Sequence, residues 1–213
     1  MRGLGRSAAL LAVCALASPR ARADAGALSL SLGGGGALVS VRAPYATDSS
    51  QTGTAWSTSL QLTYSLTNQV ELGVQGFFEP PAQFVHSNAT IANDAGTFRG
   101  SLAERTSRIG AALRVRRVFG LVWQPFVSLD AGWSHRTFSR LDLFDVSGGT
   151  ARSFGLQLPD SAQDAFLLAP AIGLRWSDDH LAVGVEPRVE LLIGSPTAWS
   201  VVVPLTVSWS WYL

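Results

Sequence analysis

Apolar and polar residues alternate with a period of two along most of this chain, most plainly in its last segment. There Val201, Val203, Leu205, Val207, Trp209, Trp211 and Leu213 form one apolar face, while Ser200, Thr206, Ser208 and Ser210 make the other largely hydroxylic. Successive side chains of a strand point to opposite sides, so the pattern predicts a strand with one oily and one polar surface. Segments of this style fill 27–41, 55–66, 70–79, 106–118, 125–137, 165–176, 181–193 and 200–213. Each is about as long as a tilted transmembrane strand, roughly 9 to 11 residues or slightly more.

The connections alternate in length. Thr67-Asn68-Gln69 and Ser177-Asp178-Asp179-His180 are tight turns, and 119–124 is only slightly longer. By contrast, 42–54, 80–105 and 138–164 are long and rich in Ser, Asp, Asn, Gly and Thr, whereas the last connection, 194–199, is short. An even number of strands with short turns at one end and long loops at the other predicts an all-β, eight-stranded antiparallel up-and-down transmembrane barrel, with three long outer loops and short periplasmic turns.

Alternation alone does not say which face meets lipid. A secreted sandwich or lipocalin also alternates, with its apolar face inward and an ordinary protein surface outward. Here the polar face carries Gly73, Gly110, Ala112, Gly132, Ala169, Ala171, Gly173, Ala182 and Gly184, and the chain contains no lysine. Small side chains suit the crowded interior of an eight-strand barrel. The charges on that face come in both signs: Glu71, Glu79, Asp130, Glu186 and Glu190 against Arg108, Arg114, Arg116, Arg175 and Arg188. Unpaired charges in a narrow lumen are costly, so the balance predicts an ion-paired network filling it.

The other face is apolar, and aromatics gather toward its ends. Trp56, Phe78, Trp133, Phe166 and Trp199 fall near the long-loop side, and Tyr64, Phe126, Trp176, Trp209 and Trp211 near the short-turn side. Two such belts are expected at the two membrane interfaces.

The stretches "SLTNQVELGVQGFF", "QPFVSLDAGWS" and "VEPRVELLIG", together with the aromatic closing strand, resemble the small OmpA/OmpX-like outer-membrane barrels of Gram-negative bacteria. The resemblance implies an integral outer-membrane location, contact with outer-membrane lipid and lipopolysaccharide, and recognition of the C-terminal strand by the barrel-assembly machinery. Leu213 departs from the family's usual terminal Phe or Trp, although Trp209 and Trp211 keep the alternate aromatic spacing.

Composition refines this picture. The chain has 213 residues, of which 47% are hydrophobic and 15% charged, an apolar balance for a water-soluble domain. Its longest apolar run, 8–17, is too short for a helical span, which needs about 20 residues. Arg2 and Arg6 before that run, and Ala21-Arg22-Ala23 after it, read as a secretory signal peptide over 1–23, leaving 24–213 as the barrel domain. Loss of its four arginines leaves 12 basic residues against 15 acidic ones, a net charge of −3, with no basic footprint for nucleic acid. The single cysteine, Cys14, leaves with it, so the mature chain is expected to hold no disulfide.

Catalytic chemistry has one candidate, Ser134-His135, near the outer end of the fifth strand. Sequence neighbours on a strand face opposite ways, so the two are not expected to act directly as nucleophile and base. His86, in a long loop, and His180, in a short turn, are expected at opposite ends. No metal or cofactor pattern stands out, and Gly33–Gly36 reads as a packing or bending device rather than a phosphate loop. Pro170, Pro187 and Pro204 sit inside predicted strands, where each removes a ladder donor. Bulges near strand ends account for such prolines, and the likeness to lipid A palmitoyltransferases and OmpW-like barrels, which use proline-weakened strand pairs as lateral openings, supplies a second reading. The expectation is therefore a non-enzymatic, monomeric outer-membrane barrel with a structural or surface-recognition role. The alternatives are a lipid-handling barrel, either an acyl-modifying enzyme or a hydrophobic-molecule transporter, and a narrow pore.

Overall fold

The computed structural model describes residues 25–42, 51–93, 96–145, 152–156, 158–178, 180–194 and 196–212. The proposed signal peptide, Cys14, Asp179 and Leu213 lie outside them. Ten strands follow in order: β1 (Ala27–Val41), β2 (Gln51–Ser65), β3 (Val70–Asn93), β4 (Gly96–Val118), β5 (Trp123–Asp145), β6 (Arg152–Ser153), β7 (Ser161–Asp178), β8 (Leu181–Val185), β9 (Arg188–Ile193) and β10 (Ala198–Tyr212). β8 and β9 are two halves of one barrel strand, and β6 is a short ribbon outside the ring. The remaining pairings run antiparallel and close through β1 and β10, from Ala27 opposite Tyr212 to Val39 opposite Ser200. The wall is thus an eight-stranded barrel, a form in which ladder bonds satisfy the backbone without an open edge.

Alternation fixes which way each strand faces. Leu113, Ile172 and Leu205 are 69%, 65% and 67% exposed on the outside, whereas Arg108, Arg114 and Arg188 are 1–2% exposed within. This inverts a soluble protein, where a fully buried arginine is rare and large apolar side chains are mostly covered. At one end the connections are tight. Thr67 Oγ1 accepts from the backbone N–H groups of Gln69 and Val70, at 3.2 and 3.0 Å, holding the β2–β3 turn. Gly120, at φ 85°, serves the β4–β5 turn in a backbone conformation that glycine adopts most readily.

The long-loop end departs from the sequence expectation. The described residues between 80 and 105 are not irregular: β3 continues to Asn93 and β4 begins at Gly96. β5 likewise continues to Asp145. A ladder that has left the apolar band no longer needs one oily face, so period-two hydrophobicity stops before the strand does. The extension has a core of its own, in which Ala89, Ile91, Leu102, Leu141 and Leu143 pack with Phe98, Leu156 and Leu158. His86 belongs to this extension of β3, not to a loop, and is buried with its Nε2 2.9 Å from Glu104 Oε1.

The prolines have separate solutions. Pro187 lies in the break between β8 and β9, which is bridged by bonds from Ile172 N to Pro187 O (3.2 Å) and from Glu186 N to Pro204 O (3.1 Å). Pro170 and Pro204 stay within unbroken strands, opposite Leu129 and Gly35. Pro204 faces inward, and Gly35 makes room for it: a Cβ there would lie 2.1 Å from Val203 O and 2.7 Å from Pro204 Cα. The glycine run of β1 is therefore a close-packing device at the closing seam.

Candidate functional site

The lumen is filled by two tiers of charge, positioned by strand register. In the tier nearer the short turns, Arg114 lies opposite Asp130 on β5 and Arg116 opposite Glu71 on β3. Arg114 donates to Asp130 at 2.7 and 2.6 Å, to Gln61 Oε1 at 2.6 Å and to both oxygens of Glu186 at 3.1 and 2.5 Å. Arg116 adds bonds to Glu186 at 2.8 Å and to Glu71 at 3.2 Å. Arg175 completes the tier by pairing with Glu71 and donating to Gln124 Oε1 at 2.6 Å. One guanidinium therefore ties β2, β4, β5 and the β8–β9 break together across the lumen.

The second tier lies toward the long loops. Arg108 pairs with Glu190 and, at 2.5 Å, with Glu79, while Arg136 reaches Glu79 at 3.5 Å. Arg188 Nε is 2.9 Å from Glu190 Oε1, and Ser200 donates to Glu190 at 2.8 Å. Along β4, Gly110 and Ala112 separate the tiers, and Ala112 joins Phe77, Leu167, Ala169 and Leu192 in an apolar cluster. Toward the long loops Ala37, Val39, Val41, Phe84, Phe138 and Val202 form another. Glu79, Arg136 and Phe84 line a cavity of about 10 Å³. Ion-paired side chains and hydrocarbon thus occupy the described lumen at both tiers.

All ten charged residues picked from the sequence lie in these tiers. Sequence reasoning missed Arg136, Glu104, His86 and the amides Gln61 and Gln124. Arg136, Glu104, Gln61 and Gln124 keep the inward parity of their strands, so carrying the two-residue period further would have found them, whereas His86 lies beyond the register shift between Glu79 and Ala82 that reverses the parity of β3. Phe126 corrects the aromatic assignment. It is buried in the lumen, not placed in the outer belt, with the Arg116 guanidinium carbon 4.5 Å from its ring centroid. Gly173 accommodates it, since a Cβ there would approach the ring to 2.2 Å. Trp56, Tyr64, Trp133, Trp199, Trp209 and Trp211 are exposed on the outside, joined by Trp123, and Trp176 pairs across the ladder with Trp123.

The Ser134-His135 pair is divided between the two faces. Ser134 is buried toward the lumen, while His135 faces outward, with Nδ1 2.9 Å from Asp164 Oδ1. Trp133 Nε1 donates to the same oxygen at 2.9 Å, and its ring stacks on His135 with centroids 5.7 Å apart. That arrangement orients an aromatic rim and supplies His135 with no neighbouring hydroxyl nucleophile from Ser134.

No family model and no curated protein matches this sequence. Solved structures do match in fold. Neisserial surface protein A aligns over 87% of this chain and 97% of its own, at 10% identity and a TM-score of 0.54. The attachment invasion locus protein Ail of Yersinia pestis aligns over 88% and 99%, at 16% identity and a TM-score of 0.47. The N-terminal β-barrel domain of Pseudomonas aeruginosa OprF covers 88% and 98%, at 14% identity and a TM-score of 0.44.

Proposed function

We propose that this protein is a non-enzymatic, non-conducting barrel that acts in recognition at the cell surface through the β-rich extension at its long-loop end. It is an integral protein of the bacterial outer membrane, with a closed wall whose exterior is apolar. The reading is carried by the Arg114 network, which spans the lumen from wall to wall and leaves the extension as the part free to meet partners. That extension is built for presentation: its own apolar core holds β3, β4 and β5 together beyond the belts. Separation of Ser134 from His135 supports the non-enzymatic part. The reading takes the protein as similar to the OmpA/OmpX-like barrels, with the monomer as the functional unit, lipopolysaccharide around the wall and β10 offered to the assembly machinery.

Planar-bilayer recording tests the reading. The folded chain is expected to give no discrete conductance, while Arg114→Ala together with Glu186→Ala opens a leak. Discrete channels from the unaltered protein would overturn it in favour of a pore.

A further inference from the structure

We infer that the outer face of β3 and β4 binds a phosphate-bearing lipid, with an acyl chain in an apolar groove at the β2–β3 seam and the phosphate at Arg105 and Arg140. This rests on the membrane placement proposed above. The β2–β3 ladder ends at Thr58 opposite Phe78; beyond that rung β2 continues to pair with β1, and β3 with β4. Where the two hairpins part, a groove of about 530 Å³ opens on the wall, lined by Leu32, Leu60, Phe78 and Ile109. Gly76 leaves it open, because a Cβ there would meet nothing within 4 Å. A groove in the lipid-facing band is filled by the solvent that surrounds it, which is acyl chain.

The same face changes character along β4. Ile109 gives way to Ser107, whose Oγ is 2.8 Å from Thr137 Oγ1, and then to Arg105. From Ile109 to Arg105 the strand climbs about 13 Å, at roughly 3.3 Å per residue. There a second hollow, of about 260 Å³, is lined by Pro81, Gln83, Arg105 and Arg140, and by Glu104, whose Oε1 lies 2.9 Å from His86 Nε2. Both arginines are exposed, and among the described residues neither is ion-paired. Arg140, at φ 52°, lies in the bulge where β5 slips register against β4 between Ser139 and Asp142. Two guanidinium forks suit phosphate, and the hydrocarbon groove below them on the same face selects a lipid over a free ion.

Native mass spectrometry of the refolded full chain, incubated with bis-phosphorylated lipid A, its dephosphorylated form or inorganic phosphate, tests this. The unaltered protein is expected to retain lipid A, R105Q/R140Q to retain it about tenfold less, as loss of charge-assisted bonds predicts. Gly76→Leu, which fills the groove, is expected to weaken both lipids, and inorganic phosphate to compete poorly. Equal retention by R105Q/R140Q and the unaltered chain would overturn the proposal, as would displacement by inorganic phosphate at the concentrations at which lipid A itself competes. Heat-modifiable migration on a gel reports barrel folding separately, so a protein that never forms a barrel counts against the membrane reading, not against the lipid site.

Discussion

Arg114 and Asp130 face each other across the β4–β5 ladder and join as two parallel forks, Nε to Oδ1 at 2.7 Å and Nη2 to Oδ2 at 2.6 Å. Arg114 also holds Glu186, so its removal leaves two buried carboxylates short of their main cation. Breaking a buried pair from one side costs about 3 to 5 kcal/mol. Arg114→Met is therefore expected to lower barrel stability by that order, read from guanidinium unfolding of the protein in lipid vesicles. Arg114→Lys, which keeps the charge but loses the fork, is expected to fall between the two.

Gly35 makes a sharper prediction about the closing seam. A side chain there would run into the β10 backbone at Val203 and Pro204, whereas Gly36 next to it has open space. Gly35→Val should reduce the yield of folded, heat-modifiable barrel, and Gly36→Val should leave it near the unaltered level. Overpacking of this kind costs about 1 to 3 kcal/mol, more where only backbone can give way.

Phe126 and Gly173 are coupled. Gly173→Ala alone forces the ring off its site, and Phe126→Leu alone leaves a gap beneath Arg116. The double variant is expected to be more stable than the sum of the two single losses predicts, because each change relieves the other. Additive losses in an unfolding cycle would mean that the contact is not made.

The extension should fail independently of the membrane wall. Leu102 is fully buried in its core, so Leu102→Ala removes contacts worth about 2 to 5 kcal/mol there. Limited proteolysis is expected to show new cleavage between 80 and 105 while the barrel remains protected and inserted.

How far the chain could be read varied with its surroundings. β10 was legible because lipid outside and a polar lumen inside impose opposite demands on Leu205 and Thr206. The extension was not, because both of its faces meet either water or a local core, so apolar alternation fades there, and the register shift between Glu79 and Ala82 turns His86 inward against the parity of the strand before it. Phe126 was misplaced by composition: an aromatic near a strand end looks like a belt residue, yet it shares its inward parity with Ser128 and Asp130. The partners of Arg114 could be guessed only as a balanced set. Which carboxylate meets which arginine depends on the stagger of strands around the ring, and that is set by the closure of the whole barrel.

Cysteine scanning of β10 in lipid bilayers tests the account at its centre, and the described residues contain no cysteine to interfere. Spin labels at positions 203, 205 and 207 are expected to collide freely with oxygen dissolved in the membrane, and labels at 202, 206 and 208 to be shielded in the packed lumen. Labels accessible to a water-soluble nickel relaxant at 203, 205 and 207, or the same oxygen accessibility at both sets, would contradict a lipid-facing apolar wall.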